Sequence, residues 1–203
     1  SQYAAVVVNP TTAQTANIRN MRDLVAYAKA NPGKVFYGYY NSASQMTAAV
    51  FSNRSGAGMT GVSYKAIGNA VTDLLGGQVE VLITAAPTVT AQLASGRMRP
   101  LAVAHGQRLS SLPDVPTSAE AGFPGFRIAN WFGLAAPKGT PADVVQYLHA
   151  EVQKILRRPD VREKLVAAGA EPVSMTPAEA ARHIDTEVRR WGELVTKARI
   201  KLD

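Results

Sequence analysis

The sequence contains no cysteine, which excludes disulfides, thiolate metal sites and a cysteine nucleophile. Only three histidines occur, His105, His149 and His183, and none stands at metal-ligand spacing from another histidine or a carboxylate. There is no G-x-S-x-G nucleophile elbow and no G-x-x-x-x-G-K-[ST] phosphate loop. Carboxylates are scarce in the first part of the chain. Residues 1–140 carry 5 Asp and Glu against 11 Lys and Arg, leaving few candidates for paired acid–base work. Together these absences point away from an enzyme and from a resident metal or cofactor. No apolar run approaches membrane-span length, and no stretch has the pattern of a secretory leader. The chain starts at Ser1 rather than Met, as expected of a processed product or a piece of a longer protein.

What is present describes a globular chain. At 203 residues, 46% hydrophobic and 18% charged, it is large enough for a real core in one domain or two. The net charge of +7 is unevenly placed, because residues 141–203 are nearly balanced, with 11 cationic and 10 acidic side chains. The basic excess therefore lies on the first 140 residues, where it would raise the local concentration of anionic solutes. Nucleic acid is not the expected partner. The basic residues are scattered, with only Arg157-Arg158 and Arg189-Arg190 adjacent, and no basic run interleaves with aromatics.

The pattern of elements centres on residues 61–87. Val62–Lys65 reads as a strand, Ala66-Ile67-Gly68-Asn69 as a turn feeding a helix through Leu75, and Gly76-Gly77 as a left-handed helix stop. Val79–Thr84 reads as a buried strand, apolar apart from Glu80. In such a βαβ unit the turn leaving the strand and the first free helix N–H groups form a ready anion site. Before it, Tyr3–Val8 reads as a strand ending at Asn9-Pro10. Asn20 to Asp23 resembles a capping box ahead of a helix with Met21, Leu24, Val25 and Ala28 inward. Val35–Tyr39 is the next strand. Tyr39 to Ser44 then enters a helix capped by Ser42 or Ser44, with Met46, Ala49 and Val50 as its buried stripe.

Gly56 to Gly61 matches G-x-G-x-x-G but follows a helix and precedes a strand, the reverse of a dinucleotide fingerprint, so it reads as a helix exit loop. Asp73, inside the central helix, reads as structural through the helix dipole. Thr88–Leu93 should be helical, Leu101–Ala104 a strand, and His105–Gly125 an extended Pro/Gly/Ser segment. A strand over Arg127–Ala135 precedes three helices. The first has Thr140 as N-cap, Pro141 at the first helical position, and Val144, Val145, Leu148, Val152, Ile155 and Leu156 inward. The second opens at Pro159 and stops at Gly169. The third opens on a Thr176–Glu179 capping box, and its stripe of Ala181, Ile184, Val188, Trp191, Val195 and Ala198 should dock on the protein's own sheet.

The stretch SYK, four residues, then AVTDLLGGQVE resembles the central signature of the tripartite tricarboxylate transporter receptors, the TctC or Bug-type periplasmic solute-binding proteins. LVAYAKANPGKVFYG at 24–38, MRPLAVAHGQRLSSLPDVPTSAEAGFPGF at 98–126 and WFGLAAPKGTP at 131–141 extend the likeness colinearly. The resemblance implies a type II periplasmic-binding-protein-like α/β fold, with a Rossmann-like lobe plus the C-terminal portion of an incomplete second lobe. In that arrangement residues 1–8 are a crossover strand, 9–124 the ligand-binding lobe, and 125–203 the return strand and helices. The glycine-rich first βα unit of the family has no counterpart here.

The implied function is capture of a small carboxylate in the periplasm for the membrane subunits of the transporter, with no cofactor and no metal. The implied ligand residues are Tyr40, Asn41, Ser42, Ser44, Gly68, Asn69 and Thr84. Tyr39 and Tyr40 stand where the family has small residues, which narrows the pocket. Thr84 stands where the family often has Asp, which favours a purely acidic ligand. Ala66 replaces a family glycine and would strain the turn if that position needs a positive φ. Weak or absent binding by the lone chain and homodimer formation through the face left by the missing unit are expected. The alternatives are a ligand-sensing effector lobe of a regulator, a fragment without independent binding, and an enzyme on an α/β scaffold.

Overall fold

The structure is a computed structural model that describes residues 2–109, 111–124, 126–127, 129–168, 170 and 172–198. The helix stop expected at Gly169 lies outside the described residues, as do the side chains of Val195 and Ala198. The fold is built on β1 (Gln2–Val8), whose Val6, Val7 and Val8 are fully buried. A run of β-branched residues without alternation suits a strand covered on both faces. β1 pairs antiparallel with β4 (Val81–Ala85) on one side and with β5 (Arg99–Val103) on the other. Beyond β4 lie β2 (Phe36–Tyr39) and then β3 (Thr60–Ser63), each parallel to its neighbour, giving the order β3-β2-β4-β1-β5. The short β6 (Ala129–Asn130) pairs with Gln2 and Tyr3.

One face of the sheet is covered by α1 (Met21–Ala30) and α2 (Ser42–Ser55), the other by α3 (Ile67–Leu75) and α4 (Thr90–Ala94). The α1 stripe is as expected, with Met21, Leu24, Val25 and Ala28 buried. Asn20 caps it by accepting from the N–H groups of Arg22 and Asp23, but the Asp23 carboxylate accepts from Arg19 N–H rather than from the cap residue. On α2 the expected stripe is rotated. Val50 is buried, but Thr47, Ala48 and Phe51 fill the interface while Met46 and Ala49 are only half-buried. The helix carries almost no apolar periodicity, so tertiary packing chose its face.

α3 ends in a Schellman motif. Gln78 N–H donates to the Asp73 carbonyl at 2.8 Å and Gly77 N–H to that of Leu74 at 3.2 Å, with Gly77 at φ +74°. The β1 exit reinforces this stop, since Asn9 Nδ2 donates to the carbonyls of Leu74 and Leu75 at 3.2 and 2.9 Å. Glu80 lies just before β4, buried, and its carboxylate accepts Phe36 N–H at 2.7 Å. Burial pushes its pKa above the ordinary carboxylate value, and the bond from Phe36 opposes that only in part.

The last third departs from expectation. Arg127–Ala135 is not one strand: pairing is confined to β6, and Trp131–Ala135 finds no strand partner among the described residues. Thr140 is not a helix cap, since its hydroxyl donates to the Pro137 carbonyl, and α5 (Ala142–Arg157) starts after Pro141. α6 (Pro159–Ala167) does begin at its proline, and α7 (Pro177–Ala198) carries the expected Thr176–Glu179 capping box. The apolar stripes of α5 and α7 are correctly spaced yet not covered. Val144, Leu148 and Ile155 are 42–51% exposed, and Ile184 and Val188 42% and 67%. Trp191 packs against the core beside α2, its indole N–H donating to Glu187 at 3.1 Å.

Gly77→Ala forces a Cβ into a left-handed backbone and within 3.0 Å of Thr12 Cγ2. It should cost about 1–2 kcal/mol, read from chemical denaturation. Glu80 contributes most when protonated, below the unfolded carboxylate pKa, and its contribution falls as pH rises through its raised folded value. Glu80→Gln keeps the acceptor for Phe36 and should flatten that decline. A thermal melt series across pH that keeps the wild-type slope would contradict the assignment.

Candidate functional site

Strands β2, β3 and β4 run parallel, so their carboxyl ends share one edge of the sheet. From β2 the chain departs to α2 on one face, and from β4 through a 3-10 turn (Ala86–Val89) to α4 on the other. Where neighbouring connections diverge in this way, a crevice opens beyond the strand ends, the position at which α/β sheets take ligands.

Two helix N-termini open at this edge. At α2, Asn41 accepts from Ser44 N–H at 2.8 Å, while the Ser44 hydroxyl accepts from the N–H groups of Asn41 and Tyr40 at 3.2 and 3.1 Å and donates to the Asn41 carbonyl at 2.9 Å. The cap is therefore Asn41, not Ser42 or Ser44, and the Asn41 and Ser44 side chains are engaged within it. The exposed Ser42 side chain and the N–H groups of Ser42 and Ala43 have no partner among the described residues, so they are the free donors of this loop. Tyr40 is half-buried beside them.

At α3 no side chain caps the helix, because the cap position is Ala66. Its φ of −148° and ψ of 151° are ordinary extended values, so the strain expected from replacing glycine is absent. The N–H groups of Ile67 and Gly68 have no partner among the described residues, whereas Asn69 N–H returns to the Ala66 carbonyl at 3.2 Å. Gly68 is exposed and a Cβ there would meet nothing, so its glycine identity is not a steric requirement. The Asn69 side chain is also exposed. Lys65 stands exposed at the same turn, adding charge beside the free donors. Asp73 is not at the start of the helix but in its last turns. It accepts from the Tyr64 hydroxyl at 2.8 Å, and burial together with this bond pushes that phenol up to about 12.

Thr84 lies in β4 opposite Ala5. It is 4% exposed, and its hydroxyl has no hydrogen-bond partner among the described residues, a condition that costs stability unless something else uses the group. The seven residues singled out in sequence thus fall on the ends of three neighbouring strands. They differ in what they can offer: free donors at Ser42, Gly68 and Asn69, an orphaned hydroxyl at Thr84, and cap or wall roles at Tyr40, Asn41 and Ser44.

Residue-type reasoning passed over Ala43 and Ile67, which contribute only backbone N–H groups; the helix starts themselves were the available signal. It also passed over Tyr3, which stacks on His105 with ring centroids 3.6 Å apart at the same sheet edge. His149 Nε2 meets the Met175 carbonyl, and His183 packs edge-on to Trp131. No group of metal-ligating side chains forms among the described residues. No described helix is long and apolar enough to cross a membrane.

A sheet with diverging connections and open helix N-termini at its carboxyl edge defines an α/β lobe of the periplasmic-binding-protein type. The chain belongs to the tripartite tricarboxylate transporter family receptor family, whose profile it matches over residues 1–200. It is similar to protein BugT of Bordetella pertussis, 37% identical over 181 residues, covering 88% of this chain and 56% of that protein. Among solved structures it resembles Rpa4515 of R. palustris with adipate, at TM-score 0.83 and 32% identity, covering 98% of this chain and 66% of that one. MatC of Rhodopseudomonas palustris with bound malate gives TM-score 0.78 and 27% identity, covering 96% of this chain and 66% of that one. The chain therefore spans a little over half the length of BugT and about two-thirds of the two solved chains.

Thr84→Val keeps the shape and removes the orphaned hydroxyl, so the protein should become more stable by about 1 kcal/mol. Destabilisation on calorimetry would show that the hydroxyl is satisfied internally after all.

Proposed function

We propose that the chain is the greater part of a periplasmic receptor that captures a small carboxylate and presents it to the membrane subunits of a tripartite transporter. The observation that carries this reading is the uncapped start of α3. Two N–H groups and the positive end of a helix dipole lie open at the sheet's carboxyl edge, beside Lys65 and opposite the free donors of α2. A carboxylate offers the charge and lone pairs these donors lack, and each charge-assisted bond is roughly twice a neutral one. The basic bias of residues 1–140 supports anion capture. Family membership supports the transport role, and two similar structures hold adipate and malate.

In this reading residues 9–124 form the ligand lobe. Residues 1–8 are the crossover, with Ala4–Val8 at the centre of this lobe's sheet, and the segment leads on to a second lobe, to which 125–203 contribute the return strand and helices. The ligand is clamped between lobes by hinge closure, so one lobe alone binds weakly. Holding rather than transforming the ligand fits the donor set, which is neutral apart from Lys65 and includes no base positioned against a nucleophile.

Ile67→Pro tests the carrying observation. Proline is favoured at the first helical position, and the extended Ala66 before it is compatible. The substitution removes one donor without breaking the helix, and carboxylate affinity should fall about tenfold in calorimetric titration with helicity unchanged. Unaltered affinity would remove the α3 terminus from the site. A second prediction follows from the uncovered faces of α5 and α7. The chain should self-associate in sedimentation as concentration rises, and Leu148→Glu should return it to monomer.

A further inference from the structure

One side chain joins the two loops whose helix starts hold the open donors. Tyr64 is the first residue past β3, and its N–H donates to the carbonyl of Tyr39, the last residue of β2, at 2.8 Å. The loop into α2 therefore leaves one residue beyond Tyr39, and the turn into α3 one residue beyond Tyr64. The Tyr64 ring crosses the face of β2 at Gly38. A Cβ built there would meet Leu82 Cδ2 at 2.7 Å, Tyr64 Cε2 at 3.1 Å and Ala70 of α3 at 3.3 Å, so a strand residue without a side chain makes room for the ring. At its far end the phenol donates to the Asp73 carboxylate at 2.8 Å. Burial and this bond raise the phenol to about 12, so it stays protonated and donating.

Asp73 stands where a carboxylate is unfavourable. It lies in the last turns of α3, near the negative end of the helix dipole, and no cation pairs with it among the described residues. The helix is also short, nine residues, and has no side-chain cap, so its own hydrogen bonds hold its start weakly. A side-chain cap would steady that turn but would also occupy an N–H that now stands open. A tether from the neighbouring strand to the body of the helix steadies it and leaves the donors free.

We propose that Tyr64 is a positioning residue for the ligand site: its bond to Asp73 holds the open start of α3 at a fixed place beside the start of α2, so that one anion reaches donors of both. The inference rests on the carboxylate reading above and adds how that site is kept in shape. Tyr64 acts through the N–H groups of Ile67 and Gly68. Donors held in place bind more tightly than mobile ones, because less freedom is lost when the ligand arrives.

The test follows amide NMR of the full chain during titration with adipate, at constant ionic strength and up to concentrations that reveal weak binding. Tyr64→Phe keeps the ring over Gly38 and removes only the hydroxyl; adipate affinity should fall about fivefold with the spectrum otherwise native. Asp73→Ala should do the same, and the two together should lose no more than either alone. Asp73→Asn, which keeps an acceptor for the phenol, should retain most of the affinity. A role confined to stability would not depend on whether α3 still donates, so the deciding comparison is made with Ile67→Pro. In that background Tyr64→Phe should cost about twofold or less. An unchanged affinity in Tyr64→Phe, or the same loss with and without Ile67→Pro, overturns the assignment of Tyr64 and leaves the carboxylate site standing. If adipate fails to shift Gly68 in the wild-type protein, the carboxylate site and this inference fall together.

Discussion

Everything in this fold depends on β1 being hydrogen-bonded on both sides while covered on both faces. Its five residues from Ala4 to Val8 are all buried, and the strand sits antiparallel between two strands that run parallel to each other. A strand so placed has no edge and no exposed face, so nothing short of global unfolding releases it. It also brings the start of the chain to the carboxyl edge of the sheet, where Gln2 and Tyr3 continue past the ladder and collect β6. Through β6 it is one of the contacts that tie the last third of the chain to the sheet, beside Trp191 of α7 packed against the core next to α2.

The polar edge follows from this arrangement by geometry rather than by residue type. Parallel strands put their carboxyl ends together, and connections leaving on opposite faces keep the space beyond them open. α2 closes its own start with Asn41 and Ser44, whereas α3 leaves its start unclosed because Ala66 has no side-chain acceptor. The unclosed helix, the free N–H groups of the closed one and the orphaned Thr84 hydroxyl form a set of unmet hydrogen bonds at one place. Of these only the Thr84 hydroxyl is buried and carries a desolvation cost, while the helix-start N–H groups face water that a ligand would displace.

The last third of the chain shows the same physics in reverse. α5 and α7 have the apolar spacing of docked helices, and α7 has its expected capping box, yet their stripes face outward. Periodicity reports that a helix has a face to bury; it does not report what buries it. Among the described residues α7 meets the core through Trp191 beside α2, the Arg127 carbonyl through Arg190 and Trp131 through His183. The relatives, half as long again or more, have further chain with which to cover such a surface.

What the sequence determined by itself was local: the strand–helix alternation, the α1 stripe, the Gly77 stop, the Thr176–Glu179 cap and the loops after β2 and β3 as the polar ones. Each is set within a few residues by backbone conformation, side-chain spacing or a missing Cβ, and so can be read without knowing the fold. Its errors were equally instructive. The strand expected over Arg127–Ala135 shrank to two residues because a strand exists only where a partner offers its ladder. The α2 stripe turned because a helix with no apolar bias takes the face its neighbours allow. Only tertiary structure could decide that Asn41 and Ser44 cap rather than project, that Thr84 is orphaned, and that Tyr3 and His105 meet at one edge from positions far apart in sequence. Pairing, burial and convergence of distant segments are properties of the packed sheet, and no local pattern encodes them.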